Sequence, residues 1–274
     1  KRWFDNFIDG GGSALNTDFR PLGLFHSISY WNSLYSPAFG RLFDRLEGLQ
    51  LWKVAAAVLG ALLLYLFLSR KRRMHPASGI PLCILTTGFA GMIFDLVVIF
   101  AFQSMYGYVF SWMGVLVAAF MTGATAGAVL TTRAVERGRG GIRLFITSEL
   151  GIILLAFALP FVFMAAQQLA ETMHALETLK LLFLLIPFLC GMLTGFQYPL
   201  GNSLYLQRST EVRETEVNST DVSRTAGLLY ALDLAGGWAG GVAGGVALLP
   251  VLGLTGTCVT VGLLKLAGFA VFSW

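Results

Sequence analysis

The stretch IPLCILTTGFAGMIFDLVVIFAFQ, residues 80–103, contains a single charged residue, Asp95. A bilayer core of about 30 Å is crossed by about 20 apolar residues in a helix, so this segment is long enough to span it. Six more segments of the same kind lie on either side, at residues 52–69, 107–131, 142–166, 180–205, 226–249 and 254–273. The fold class that follows is all-α: a polytopic integral membrane helical bundle with about seven transmembrane helices.

Composition agrees with this reading. Of 274 residues, 56% are hydrophobic and only 12% charged, with 22 Phe and 32 Gly, which excludes an ordinary soluble domain with a polar shell. The balance of 19 basic against 15 acidic residues is too even to call for a nucleic-acid partner. Cys83, Cys190 and Cys258 all fall inside apolar spans without ligand spacing, so no disulfide framework or zinc site is expected. His26, His75 and His174 lie outside the spans, which disfavours axial ligation of a haem within the bundle. No cofactor is predicted.

The basic residues border the spans. Arg70, Lys71, Arg72 and Arg73 follow the first, and Arg133, Arg137, Arg139 and Arg143 fill the link between the third and fourth. The positive-inside rule puts both clusters in the cytoplasm. Alternation then places the 204–226 link inside, the links 104–106, 167–179 and 250–253 outside, residues 1–51 outside and Trp274 inside. The localisation expected is the bacterial inner membrane.

Two domains are predicted: an extracytoplasmic segment, 1–51, and a transmembrane domain, 52–274. The first is broken by Gly10, Gly11 and Gly12 and punctuated by Pro21 and Pro37. It starts at Lys1 without Met or a signal peptide, so the chain is expected to be part of a longer polypeptide. Within AFGRLFDRLEGLQ, residues 38–50, Phe39, Leu42, Phe43, Leu46 and Leu49 recur at helical spacing opposite charged residues. That pattern fits an amphipathic helix at the membrane interface or a helix packed on the bundle.

Leu15-Asn16-Thr17-Asp18-Phe19-Arg20-Pro21, with the aromatic run from Phe25 to Trp31, resembles the end of the spermidine-synthase-like domain in bacterial proteins that fuse such a domain to membrane helices. TTGFAGMIFDLVVIF (86–100), VLVAAFMTGATAGA (115–128) and GLLYALDLAGGWAGGVAGGVALLPVLG (227–253) are similar to the membrane part of the same fused transporter-like family. The family commonly has glutamate followed by Trp and Arg where this chain has Asp95 followed by apolar residues. Residues 1–274 contain neither a glycine-rich nucleotide-binding turn nor a paired-aspartate amine site, so the resemblance implies aminopropyltransferase-like activity only if an intact domain precedes Lys1.

Three acids interrupt apolar spans, Asp95, Glu149 and Asp233, and Lys265 is the one basic residue at comparable depth. Each acid costs roughly 2.5 to 3.5 kcal/mol at a helix centre on insertion scales, so each is expected to face the bundle or an aqueous cavity. One reading makes Asp95 and Asp233 ligands for a cation or steps on a proton path, with Lys265 as counter-ion or gate. The other makes them packing groups that pair with Lys265 or bond neighbouring helices, Lys265 itself reaching for the interface. Gly123 and Gly127 on the third span, and Gly236, Gly240 and Gly244 with Gly237, Gly241 and Gly245 on the sixth, form small-residue ridges for close helix packing. Pro199, flanked by Gln197 and Tyr198, marks either a helix break of the kind that lines transporter sites or a plain kink.

Three functions remain open on these grounds. The first is a non-catalytic membrane module that anchors a synthase-like protein and docks extracytoplasmic partners. The second is a transporter of a polyamine or another small cation. The third is a cofactor-free membrane subunit of a respiratory or electron-transfer complex. The partners expected are the lipid bilayer, other proteins of a membrane complex and, for the second function, a small cation.

Overall fold

The computed structural model describes residues 50–72, 79–107, 110–139, 141–173, 176–213 and 219–273. Residues 1–49, which hold all but the last two positions of the predicted extracytoplasmic domain and the amphipathic segment 38–50 apart from Gln50, lie outside the described residues. The described chain is all-helical: α1 Leu51–Arg72, α2 Gly79–Tyr106, α3 Phe110–Glu136, α4 Ile142–Met173, α5 Leu176–Arg213, α6 Ser219–Ala243, a π-helical segment Gly244–Leu252, and α7 Gly253–Ser273. Gly79–Tyr106, Phe110–Glu136, Ile142–Leu169, Leu179–Arg208 and Val222–Phe272 are each long and apolar enough to cross a membrane. Large apolar side chains such as Phe110, Leu154, Phe161 and Trp238 stand exposed on the outside of the bundle, as a lipid-facing surface requires.

Helix ends follow local chemistry. Gly138 (φ 71°) closes α3: its N–H donates to the Val135 carbonyl at 2.9 Å and the Arg139 N–H to the Ala134 carbonyl at 2.9 Å, a Schellman motif that only a left-handed residue allows. Gly107 (φ 76°) ends α2 in the same region of backbone space. The predicted link at 250–253 is replaced by helical structure, because the π-helical segment carries the chain through Pro250 to Gly253 (φ 71°). The links expected at 167–179 and 204–226 are also shorter than read from hydropathy, since α4 extends to Met173, α5 to Arg213, and α6 begins at Ser219.

Val222–Phe272 is 51 residues long and folds in two. Straight, it would measure about 75 Å at 1.5 Å per residue, well over twice the hydrocarbon thickness. Along α2, Gly88 meets Asp233, Phe89 meets Gly240 and Ile93 meets Gly244, so α6 runs parallel to α2. Gly79 meets Phe272, Cys83 bonds Gly268 and Thr87 bonds Lys265, so α7 runs antiparallel to it. The reversal lies in the π-helical segment and at Gly253.

Two helix pairs form the frame. On α3 and α5, a Cβ built on Gly123 or Gly127 would overlap the Phe188 or Met192 carbonyl, and one on Gly191 or Gly195 the Phe120 or Ala124 carbonyl. On α2 and α6, Gly236 and Gly240 bear in the same way on Leu85 and Phe89, and Gly88 on Asp233. Gly244 meets the Ile93 and Leu96 side chains, whereas Gly241 makes ordinary contact with Met92 and nothing lies within 4 Å of a Cβ on Gly245. The Gly236 ridge is therefore the packing ridge, and the Gly237 ridge faces outward.

The two pairs are copies of one arrangement. The same number of residues separates Gly88 from Gly191, Leu85 from Phe188 and Phe89 from Met192. Another constant separation links Gly123 with Gly236, Gly127 with Gly240 and Phe120 with Asp233. Exchanging α2 with α5, α3 with α6 and α4 with α7 preserves the main helix contacts: α3–α5 becomes α6–α2, α4–α5 becomes α7–α2, and α2–α5 and α4–α7 map onto themselves. Exchanged helices run in opposite directions, as Gly91 against Thr194 with Ile84 against Gly201 (α2 and α5), and Glu149 against Lys265 with Phe145 against Phe272 (α4 and α7), require. Helices α2–α4 and α5–α7 are thus inverted three-helix repeats, with α1 outside them against α7.

The glycine contacts predict a contrast within one helix. Gly127→Ala forces a methyl into the Met192 backbone and should destabilise the protein by about 1–3 kcal/mol, the cost of overpacking. Gly114→Ala, where nothing lies within 4 Å, should be neutral or mildly stabilising. Unfolding titrations in detergent micelles compare the two directly.

Candidate functional site

Glu149 on α4 and Lys265 on α7, the two helices that exchange under the repeat, meet in the interior. Lys265 Nζ lies 2.6 Å from Glu149 Oε2, and both side chains are 0% exposed. The ammonium also donates to Thr87 Oγ1 at 2.8 Å and approaches the Cys83 carbonyl at 3.5 Å, both on α2. Thr87 Oγ1 in turn donates back to the Cys83 carbonyl at 2.8 Å. The lysine therefore has a full set of acceptors. Glu149 meets that charge through Oε2 and lies within bonding reach of the Cys83 thiol, while Oε1 is buried with no geometrically aligned donor among the described residues.

Beside the pair, Gln197 of α5 is fully buried and its Nε2 donates to Ser148 Oγ at 3.0 Å, while Gln197 Oε1 has no donor among the described residues. Ser148 Oγ donates to the Phe145 carbonyl at 2.8 Å. Cys83 donates to the Gly268 carbonyl at 3.6 Å, and its thiol is close enough to feel both Glu149 and Lys265. One polar cluster thus gathers residues from α2, α4, α5 and α7. It places Lys265 deep in the bundle rather than at the interface, and Glu149 is closed off from water rather than reaching it.

Asp95 sits apart from this cluster. It lies two turns beyond Thr87 on α2, roughly 12 Å of helical rise, and is 8% exposed within the core cluster that includes Phe94, Val98, Cys190 and Cys258. Its charge reaches Cys190 on α5, and no described group donates to its Oδ1. Asp95 thus stands near the crossing of α2 with α5, the other pair of exchanged helices.

Asp233 meets α2 at Gly88, seven residues from Asp95. Its carbonyl and Oδ1 press on Gly88 of α2, and it lies beside Tyr198, whose hydroxyl donates to the Ala226 carbonyl at 3.0 Å and whose ring stands edge-on to Tyr230 at 6.4 Å. Helix α5 continues through both Pro187 and Pro199, so Pro199 marks no break. Its local effect is to accompany Gln197 turned inward and Tyr198 turned onto α6. Among the described residues no group of three or more His, Cys, Asp or Glu side chains has metal-binding geometry.

The charged residues of this site were visible as interruptions of apolar sequence; their partners were not. Cys83, Thr87 and Ser148 are ordinary constituents of membrane helices and carry no signal. Gly191 and Gly195 did carry one, the same four-residue spacing as Gly123 and Gly127. Comparison with protein-family models, with curated proteins and with solved structures returns no match.

Removing one partner of a buried pair strands the other, at a cost of about 3–5 kcal/mol. Lys265→Met and Glu149→Gln are each expected to destabilise the protein on that scale. The double variant should lose clearly less than the two single losses together, and a double-mutant cycle in micelles reads the difference.

Proposed function

We propose that this chain is a multi-pass protein of the bacterial inner membrane that moves a small cation, such as a polyamine, across the bilayer. In this reading it crosses seven times, α1 included, with its N-terminus outside and the Arg70 and Arg133 clusters in the cytoplasm. The observation that carries the proposal is the inverted three-helix repeat with its ionisable groups at the seam. Inverted repeats provide two arrangements of equal kind, each open to one side, and place substrate and ion sites between them. Asp95 near the α2–α5 crossing and the Glu149–Lys265 pair at the α4–α7 contact occupy that position.

In the transport cycle so proposed, Asp95 is the cation ligand. A carboxylate without a donor, set among apolar groups, gains more from a passing cation than one already satisfied. Glu149 and Lys265 neutralise each other where α4 meets α7, between the two glycine-packed pairs that move against one another. Glycine-lined pairs α2–α6 and α3–α5 would move as rigid bodies, because their backbones leave no room to slide side chains past one another.

A second reading keeps the chain as the anchoring, non-catalytic membrane half of a spermidine-synthase-like protein that docks extracytoplasmic partners. It is favoured by the similarity of residues 15–21 and 227–253 to that family and by the rigidity of the glycine contacts. Flux separates the two. Reconstituted in vesicles, the wild-type chain is expected to carry radiolabelled spermidine or a monovalent cation, and Asp95→Asn to lose at least tenfold in rate while unfolding at the same denaturant concentration. Equal flux in the two proteins removes the transport reading.

A further inference from the structure

We propose that the outward face of α3 binds one anionic phospholipid, its phosphate held by Arg133 and Arg137 and one acyl chain lying along the helix from Val129 towards Met121. The inference requires only that the chain spans a bilayer, so it stands apart from the transport reading.

Helix α3 has one principal partner. It packs on α5 through Gly123 and Gly127 and is the least buried of the apolar spans. On the side away from α5, Met121, Thr125, Val129 and Arg133 recur every four residues, so they form a single strip, and all four are exposed. A shallow groove follows that strip, with Leu130 on its flank and Arg133 at its end. The hydroxyls beside it are already engaged: Thr122 Oγ1 donates to the Ala118 carbonyl at 2.7 Å and Thr125 Oγ1 to the Met121 carbonyl at 2.9 Å. The groove is therefore apolar along its length and charged at one end. That is the chemistry of a hydrocarbon chain with an anionic head, and it offers a free anion nothing beyond the arginines.

Dimensions and charge agree with such an occupant. Met121 and Arg133 are separated by roughly 18 Å of helical rise, close to one leaflet of a hydrocarbon core about 30 Å thick. Arg137 continues the strip, because its N–H donates to the Arg133 carbonyl at 3.2 Å and so keeps it one helical turn further on. Arg139 and Arg143 follow in the link to α4, against a single acid, Glu136. Basic clusters at the cytoplasmic end of a span attract anionic headgroups, and a planar guanidinium can bind two phosphate oxygens at once.

The second repeat provides an internal comparison. The separation that relates Gly123 to Gly236 and Gly127 to Gly240 puts Trp238 where α3 has Thr125, and Trp238 is 73% exposed. The last turn of α6 carries no basic residue, whereas that of α3 carries Arg133. An indole in place of the groove and no cation at its end remove both halves of the site. It is a feature of the first repeat and not a by-product of the shared geometry. A second copy of this chain is the competing occupant of so bare a helix face. Two copies with the same orientation in the membrane, joined through α3, would bring their arginine clusters side by side, a like-charge juxtaposition that opposes pairing.

Native mass spectrometry of the full chain, released from micelles containing equal amounts of phosphatidylglycerol and phosphatidylcholine, tests the proposal. The wild type is expected to retain one phosphatidylglycerol in preference to phosphatidylcholine. Arg133→Gln combined with Arg137→Gln should lower that retention by about tenfold or more. Thr125→Trp, which reproduces the second repeat and leaves the charge unchanged, should do the same. Val115→Trp, exposed on α3 but outside the groove, should bind as the wild type does and is the control for an added indole. All of these positions are exposed, so unfolding midpoints in micelles should agree among the four proteins. Equal retention of the two lipids overturns the proposal. So does a loss confined to the arginine variant with Thr125→Trp unaffected, which would leave a headgroup attraction without a groove. A lipid-free dimer that Thr125→Trp converts to monomer would assign the face to a second copy and overturn it as well.

Discussion

These helices meet through an interior built of apolar side chains, and in a bilayer apolar surface gains nothing by leaving one hydrocarbon environment for another. What holds the bundle is close approach: backbone carbonyl against glycine, at Gly88, Gly123, Gly127, Gly191, Gly195, Gly236 and Gly240. At that distance the peptide dipoles and Cα–H groups of two helices contribute attraction that a side chain would block. The rest of the architecture depends on these contacts. They pair α2 with α6 and α3 with α5, and so bring together helices distant in sequence. They also fix the rotation of α2 and α5, which turns Thr87 and Gln197 towards the polar cluster that Glu149 and Lys265 complete.

Charge is tolerated in the interior because it is nearly balanced there. Glu149 and Lys265 meet at 2.6 Å, out of contact with solvent, where the interaction is strong and the loss of hydration is large. The Thr87 hydroxyl and the Cys83 carbonyl of α2 make up much of what the lysine lost in leaving water. Asp95 has no comparable compensation among the described residues. The contrast between a satisfied cation and two under-satisfied carboxylates distinguishes this core from one built only for packing.

Much of the fold was legible in the sequence, and the reasons lie in particular residues. Apolar runs such as 80–103 announce helices because lipid accepts no other backbone for so long a stretch. Helix ends were misread at Met173, Arg213 and Ser219, since hydropathy marks where lipid stops and the helix continues into water. The reversal at 250–253 falls where the sequence put it, but it is helical rather than an open link: the π-helical segment Gly244–Leu252 leads into Gly253 through apolar residues. For the site, the charged residues stood out singly, but the choice of Glu149 rather than Asp95 or Asp233 as partner of Lys265 depends on helix rotation. The inverted repeat was hidden because its copies share glycine positions and little else, Gly88 with Gly191 and Gly123 with Gly236.

The connection between α6 and α7 has a consequence for biogenesis. A chain that turns back through buried residues, with Leu248, Leu249, Pro250 and Val251 all enclosed, offers no hydrophilic stretch to be drawn separately through the translocation pore. The two helices would then enter the bilayer as a single hairpin, so that the last fifth of the 274 residues arrives in one step. Lys265 is carried in with that hairpin, and its late arrival leaves Glu149, synthesised much earlier, to wait in the membrane for its counter-charge.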